Sequence, residues 1–293
     1  MERGVLQGFV DYVYGLVTAQ RVSEVHVVAA CSEAWTANPK EYICIQENHL
    51  GVPVNVLKSA YQLAYDKAKA KSSAGFQGLA QCTFILLLVN PHLTVFWNKR
   101  KQMCVHNQGH AEENIVSAVL LLTHPKCLAI FEHRRWLLQQ TGFMSEEKLV
   151  EELDLCTITA DRYSNNYYSW SHRQWCLLLI SQPKVYRKDL VRVRNWRERN
   201  VSQYSAFNHC QFLLSELSDG SRELMYEYQD IVSLINHYPG HESLWYYRKW
   251  LVYQLSLQQE SSCRLTVEGE LELEGEDDYY ISRYIKGLKL LLS

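Results

Sequence analysis

The sequence predicts an all-α protein, a right-handed α-α superhelix (solenoid) of helical hairpin repeats with a small irregular or hairpin-containing N-terminal segment. An aromatic residue recurs five times at intervals of 34 to 39 residues, and an arginine stands three positions after it in four of the five copies. Periods of this length are typical of solenoids, in which each unit buries its apolar face against a neighbour. The aromatics are Trp97, Phe131, Trp170, Phe207 and Trp245, followed by Arg100, Arg134, Arg173, Cys210 and Arg248.

Residues 1–55 form an N-terminal extension that lacks the repeat. Helical character is predicted over residues 9–17, and short strands are predicted over 24–30 and 41–46, where β-branched side chains are frequent. Residues 48–53 have the composition of a turn. We therefore expect a small hairpin attached to an otherwise helical protein.

The repeats are predicted to occupy residues 56–258. Helices are expected over 56–69, 79–89 and from the segment after Pro91 to about 106, and then as alternating first and second helices. Three copies place a proline six residues before the aromatic, which suits the end of one helix and the first turn of the next. The remaining first helices are predicted over 112–122, 146–157, 188–199 and 222–236.

The end of the chain is predicted to leave the repeat pattern. Residues 259–278 are rich in Asp and Glu, and we predict an acidic loop there. Residues 279–293 return to aromatic and leucine content, and we predict a C-terminal helix.

The second helices have a recognisable geometry. Phe131, Arg134 and Leu138 share one face at about 100° per residue, while Trp136, five positions after Phe131, lies about 140° away. Such a helix is predicted to be buried on two sides. The arginine of the motif then has two interpretations: it packs between helices as part of the architecture, or a row of arginines binds an anionic ligand. Its recurrence in four units favours architecture.

Composition excludes several classes of protein. The 293 residues are 47% apolar, enough for a continuous core, and a formal net charge of −2 does not favour nucleic acid as a partner. Nine cysteines without a CxxC pair, and no recognisable signal peptide, are typical of a soluble protein of a reducing compartment, so we expect a cytoplasmic location. The most apolar run, residues 81–89, is far shorter than the roughly 20 residues of a membrane helix, so no transmembrane segment is expected.

The spacing of reactive residues along the chain predicts no active site. His106 and His110 are four apart, as on a zinc-binding helix, but Gly109 interrupts the segment and a loop or helix-end role is favoured. No phosphate-binding glycine loop is present, and no histidine is spaced to activate a cysteine. We therefore expect neither metal nor cofactor on this chain. Three histidines share one slot, two positions after the aromatic, and are interpreted as part of the repeat: His133, His172 and His209.

One stretch carries a specific resemblance. Residues 166–175 read Asn-Tyr-Tyr-Ser-Trp-Ser-His-Arg-Gln-Trp. This run is similar to the core of the protein prenyltransferase α-subunit repeat, approximately Pro-Lys-Asn-Tyr-x-x-Trp-x-His-Arg-x-x-Leu. Residues 125–136 match the ends of that motif but have Cys127 and Leu128 where Asn and Tyr are expected. The resemblance covers about residues 85–258, and the divergent units set the chain apart from the farnesyltransferase and Rab geranylgeranyltransferase α subunits.

The resemblance implies the α subunit of a heterodimeric protein geranylgeranyltransferase. In that family the β subunit holds the zinc and the isoprenoid pocket, and the zinc activates an acceptor cysteine as the thiolate that displaces diphosphate. The implied partners are the β subunit of Rab geranylgeranyltransferase and an acceptor protein with C-terminal cysteines, such as a SNARE or an F-box protein, including one already prenylated. Geranylgeranyl diphosphate would bind through the heterodimer.

The resemblance also nominates residues. Lys126 matches the family lysine that reaches the diphosphate, where a cation stabilises the leaving group, although an ordinary exposed lysine is the alternative. Asn166, Tyr167 and Tyr168 match positions that face the β subunit and the substrate pocket. The alternative function is a non-enzymatic helical-repeat adaptor for protein–protein interaction, and Lys126 is the feature that favours the transferase.

Overall fold

The computed structural model describes residues 3–29, 38, 41, 43–69, 75–140, 142–217, 220–273 and 279–293. Within these ranges the chain forms fourteen helices and three strands. In chain order they are α1 Arg3–Thr18, β1 Glu24–Val28, β2 Cys44–Gln46, β3 His49–Pro53, α2 Val54–Lys69, α3 Phe76–Val89, α4 Thr94–Asn107, α5 His110–Thr123, α6 Leu128–Leu138, α7 Glu146–Arg162, α8 Tyr167–Ile180, α9 Pro183–Glu198, α10 Tyr204–Leu217, α11 Ser221–His237, α12 Glu242–Ser256, α13 Ser261–Leu271 and α14 Tyr279–Leu292.

The helices pack as successive pairs within two compact units. The N-terminal unit is Met1–Arg173 and the C-terminal unit is Gln174–Ser293. In the first, α3 packs on α4 and α5 on α6; in the second, α9 packs on α10, α11 on α12 and α13 on α14. Hairpins of this kind confirm the predicted all-α class and the repeats of the α-α solenoid type.

The N-terminal extension is part of the N-terminal unit. Helix α1 packs on α2, α3 and α5, and β1 packs on α5. The side chains of Phe9 and Val13 on α1 are fully buried in the same apolar cluster as Leu86 of α3 and Leu120 of α5. The extension therefore completes the apolar core of the first hairpins.

The small sheet differs from the predicted hairpin. Strand β3 lies in the centre, parallel to β1 and antiparallel to β2, so the hairpin joins β2 to β3. The prediction of a turn over residues 48–53 was wrong for its last five residues. Glycine avoids a tight contact within β3, because a Cβ at Gly51 would lie 3.2 Å from Cγ1 of Val28. Pro53 is tolerated because it stands at the end of the strand.

The helices predicted from residue 56 onward are confirmed, with ends displaced by a few residues. Ser145 caps α7, since its hydroxyl accepts a hydrogen bond from the amide of Lys148. The terminal helix α14 is confirmed, whereas the acidic loop predicted over residues 259–278 was wrong where α13 forms. One acid of this segment, Glu270, is 2% exposed, so acidic composition did not mean exposure to solvent here.

A buried acid at the start of one hairpin binds the arginine of the preceding hairpin. Glu113 of α5 accepts hydrogen bonds from Nε and Nη2 of Arg100 on α4, at 2.9 and 2.7 Å. The same carboxylate accepts one from Nε2 of His133 on α6, at 2.7 Å. All three side chains are buried. One acid therefore joins α4, α5 and α6.

The same arrangement recurs along the N-terminal unit. Glu152 of α7 accepts hydrogen bonds from Nε of Arg134 on α6, at 3.0 Å, and from Nε2 of His172 on α8, at 2.9 Å. Each histidine stands 20 residues after its acid. In the C-terminal unit the matching pairs, at the same separation, are Asp189 with His209 and Glu227 with Tyr247.

Each repeat arginine of the N-terminal unit also binds its own hairpin. Nη1 donates to the carbonyl oxygen 20 residues earlier, which belongs to Ala80 for Arg100 and to Leu153 for Arg173. The same nitrogen donates to a nearby hydroxyl, that of Thr83 for Arg100. The planar guanidinium has five donors, which suits this use. These are the contacts expected of the architectural interpretation, and they leave the arginines bound to protein.

The fourth copy departs from the motif but keeps the ion pair by other means. Cys210 stands where the fourth copy lacks arginine, and Arg197 of α9 instead donates from Nη1 to Glu227, at 2.7 Å. At the end of the C-terminal unit, Arg248 donates from Nε to Glu270 of α13, at 3.0 Å. Tyr284 of α14 donates its hydroxyl to the same carboxylate. Helices α13 and α14 therefore form a further hairpin with a buried acid.

Burial of the second helices on two sides is only partly correct. Phe131, Arg134 and Leu138 are buried, but Trp136 is half-buried. Its ring stacks on His133, three positions earlier, with centroids 5.4 Å apart. Because these two positions are neighbours on a helix surface, the aromatic covers the histidine and shields the acid beneath it.

Replacing Glu152 with Ala is expected to lower the free energy of unfolding by about 3–5 kcal/mol, because Arg134 would stay buried without its counter-ion. Urea unfolding followed by far-UV circular dichroism measures this loss. The matched control is Glu151→Ala, the exposed neighbour on α7, which should change stability by about 0.5 kcal/mol or less. Equal losses in the two variants would contradict a structural role for the buried acid.

Stability is expected to fall on acidification in two stages. Burial lowers the pKa of His133 and of His172 from 6.5, so folding favours their neutral forms and stability is lost as pH falls below that value. Burial opposes ionisation of Glu152, but Arg134 and His172 outweigh it and lower its pKa to about 2. Its contribution is present above about 4.5 and is lost as pH falls toward 2. Urea unfolding at several pH values would show this decline, and a constant free energy of unfolding between pH about 7 and about 4 would contradict it.

Candidate functional site

The turns that precede α4, α6 and α8 contact one another and form a continuous surface. We call residues 90–93, 124–127 and 163–166 the turn edge. Sγ of Cys127 lies 3.9 Å from Nδ1 of His92, and Nδ2 of Asn166 donates to the carbonyl oxygen of Pro125, at 2.5 Å. Each turn is therefore tied to its neighbour.

The proline of the repeat fixes the turn before a second helix in two copies. The indole nitrogen of Trp97 donates to the carbonyl oxygen of Pro91, at 2.7 Å, and that of Trp245 donates to the carbonyl oxygen of Pro239, at 3.1 Å. The hydrogen bond accounts for the separation of six residues between proline and tryptophan in these two copies. It fixes the turn against the helix that follows.

Lys126 lies on the turn edge and is exposed, two residues before the start of α6. Its Nζ lies 5.0 Å from the centre of the Tyr163 ring, which is within reach of a cation–π interaction. The N-terminus of α6 follows directly, and Cys127 at its N-cap makes no side-chain cap. Lysine and helix dipole both favour an anion at this place.

The three other nominated residues differ in their surroundings. Asn166 is 1% exposed, and its side chain binds the backbone of Pro125, Thr159 and Ser169. It positions the turn and offers no group to a ligand. Tyr167 is 68% exposed, whereas Tyr168 is half-buried and packs on the apolar cluster of the N-terminal unit.

The structure thus brings Lys126 and Tyr163 together on the turn edge, and Tyr167 follows it as the first residue of α8. Tyr163 was not predicted, because only the fifth copy has a tyrosine, Tyr238, at the equivalent position, where the other copies have Asn90, His124 and Asn200. An ammonium group beside a phenol can bind and orient an anion. Burial raises the pKa of the neighbouring Cys127 thiol, which disfavours a nucleophilic thiolate there.

The two histidines with helical zinc spacing lie against different rings. His106, in the last turn of α4, stacks on Phe76 with centroids 4.4 Å apart. His110, the first residue of α5, lies 5.6 Å from the ring of Phe143. These are helix-end positions, as the sequence analysis favoured.

Comparison with known proteins agrees with the repeat pattern. Residues 149–180 and 224–255 match the family described as protein prenyltransferase alpha subunit repeat. The chain is similar to protein prenyltransferase alpha subunit repeat-containing protein 1 of Homo sapiens, at 26% identity over 92% of the chain and 82% of the relative. The protein of that name from Danio rerio is 27% identical over 79% of the chain and 68% of the relative.

A second group of relatives is more distant. The geranylgeranyl transferase type-2 subunit alpha of Homo sapiens is 24% identical over 72% of the chain, which spans 39% of that relative's length. No helix in the described part of the chain is long and apolar enough to cross a membrane. The paired helices and these matches agree: two segments of the chain match the protein prenyltransferase alpha subunit repeat, and the chain is similar to proteins that carry it.

Proposed function

We propose that the chain is the α subunit of a heterodimeric protein geranylgeranyltransferase. The observation that carries the proposal is the placement of Lys126, which is exposed beside Tyr163 at the N-terminus of α6. The family supplies the class of partner, a β subunit, and the relatives named geranylgeranyl transferase type-2 subunit alpha favour the β subunit of the Rab enzyme. The location that goes with this proposal is the cytoplasm.

The proposed reaction forms a thioether. The sulfur of an acceptor cysteine attacks the first carbon of the geranylgeranyl chain, the carbon–oxygen bond to diphosphate breaks, and the electron pair leaves with the diphosphate. Zinc bound by the β subunit would supply the thiolate at neutral pH. The chain described here would contribute the leaving-group contact and part of the surface that selects the acceptor.

Lys126 would stabilise the charge that develops on diphosphate as the bond breaks. A fixed cation assists a reaction when its attraction grows in the transition state. The contact with the Tyr163 ring favours one position of the ammonium group. The backbone amides at the start of α6 would add donors to the same anion. Tyr167 would extend the contact surface toward the β subunit.

The alternative is an adaptor that shares the architecture without taking part in chemistry. The observation on its side is the pair Cys127 and Leu128, which replace the Asn and Tyr of the family motif directly after Lys126. Both functions predict a complex with a protein partner, so complex formation alone does not separate them. The kinetics of a Lys126 variant do.

The test is Lys126→Ala in the assembled heterodimer. Co-expression with the β subunit of Rab geranylgeranyltransferase, followed by size-exclusion chromatography, should give the same complex for wild type and variant, since an exposed side chain contributes little to packing. Single-turnover transfer from geranylgeranyl diphosphate should slow by about 10–1000-fold, as for other losses of one electrostatic stabiliser.

The control is Lys184→Ala, an exposed lysine on α9, which should transfer at the wild-type rate. Lys126→Arg should recover part of the rate, because it keeps the charge and changes its shape. Wild-type turnover in Lys126→Ala would assign the chain to the adaptor function. Failure to form the complex with wild-type protein would remove this β subunit as the partner.

A further inference from the structure

Three side chains with metal-binding atoms converge on the outer face of the N-terminal sheet. Glu24 and His26 lie on β1, and His49 lies on β3. In the parallel register Glu24 is opposite His49, and His26 is opposite Gly51. The three residues therefore share one face, and Gly51 adds no side chain between them.

The distances between the three atoms match the edges of a coordination tetrahedron. Nε2 of His26 lies 3.1 Å from Nδ1 of His49. Oε2 of Glu24 lies 3.4 Å from the first nitrogen and 3.3 Å from the second. A tetrahedral zinc ion with bonds of about 2.0–2.1 Å separates its ligand atoms by about 3.3 Å. The three atoms are thus spaced as ligands of one such ion would be.

We propose that Glu24, His26 and His49 form a zinc site, with the fourth position open to solvent. A zinc ion would accept all three lone pairs at once, whereas a shared proton joins only two of these atoms. Two imidazoles and one carboxylate are a ligand set that zinc takes when three protein ligands leave one position free. The site is separate from the zinc proposed for the β subunit.

Residues around the cluster hold the carboxylate in place. The Nη2 group of Arg162, at the end of α7, binds Oε1 of Glu24, and this leaves Oε2 directed at the histidines. Nη1 of the same arginine donates to the carbonyl oxygen of Leu122, at 2.7 Å. An outer hydrogen bond of this kind commonly orients a ligating carboxylate.

The backbone beneath the ligands is fixed by the core. Val25 and Leu50 point to the opposite face of the sheet and are 1% and 0% exposed. The ligands thus stand on two paired strands with a buried rear face, which favours a site whose geometry is formed before the ion arrives. Bound zinc would link β1 to β3 and, through Arg162, to α7.

Spacing along the chain could not reveal this cluster, because 22 residues separate His26 from His49 and only strand pairing joins them. The expectation of no metal on this chain rested on such spacing. The proposal departs from it and concerns the structure of the sheet, independently of prenyl transfer.

The test uses the full chain freed of metal with a chelator. Isothermal titration with zinc chloride should give one ion per chain, and added zinc should raise the melting temperature, because the ion binds the folded sheet. Cobalt(II) in place of zinc should give the visible absorption of a four-coordinate ion. His26→Gln and His49→Gln should each weaken zinc binding by about tenfold or more.

The variants are expected to fold without metal, because the side chains of His26 and His49 are 53% and 44% exposed. Unchanged far-UV circular dichroism in chelator verifies this. The controls are His106→Gln, an exposed histidine on α4, and Cys44→Ser, the exposed thiol of the same sheet; both should bind zinc as wild type does. The proposal is overturned if wild type binds no zinc, or if the double variant of His26 and His49 binds it unchanged.

Discussion

The buried carboxylate between successive hairpins is the constraint on which the structure depends. Burying a charge costs free energy unless it is paired and fully hydrogen-bonded, so the acid of one hairpin must meet a guanidinium and a second donor. Glu113 and Glu152 meet both conditions, and neither carboxylate can move without leaving Arg100 or Arg134 unpaired. The apolar layers supply the driving force for burial, while these directional contacts fix how far one hairpin is displaced along the next.

The buried carboxylate needs hydrogen-bond donors and a positive charge, and different residues can supply them. In the C-terminal unit the donor opposite Glu227 is a tyrosine hydroxyl, and Arg197 approaches from α9 where the motif has Cys210. Glu270 has Arg248 and two tyrosines around it. A repeat can thus lose its signature residues and keep its ion pair, which explains why the family match covers two segments while the hairpins continue beyond them.

The repeat arginines are bound within the helix pairs, so the ligand contact proposed for this chain is placed on the turns instead. The turn edge is held by backbone contacts, including those of the buried Asn166, and these contacts leave Lys126 exposed beside Tyr163. Lys126, the proposed contact to the leaving group, therefore projects from hydrogen-bonded turns but makes none of the described hydrogen bonds that hold them. The N-terminal sheet is built in a similar way. One face is buried in the core, and Glu24, His26 and His49 lie close together on the opposite face.

The sequence by itself determined the helical class, the repeat and the helix positions. Hydrophobic periodicity is a local property and can be recognised within one continuous segment of the chain. The sequence also favoured the architectural role of Arg100 and Arg134. Only the tertiary structure decided which acids those arginines meet, because Glu113, Glu152 and Glu270 look like solvent-facing acids until a neighbouring hairpin covers them. The central strand β3 and the proximity of Lys126 to Tyr163 likewise depend on contacts between distant segments, which periodicity does not encode.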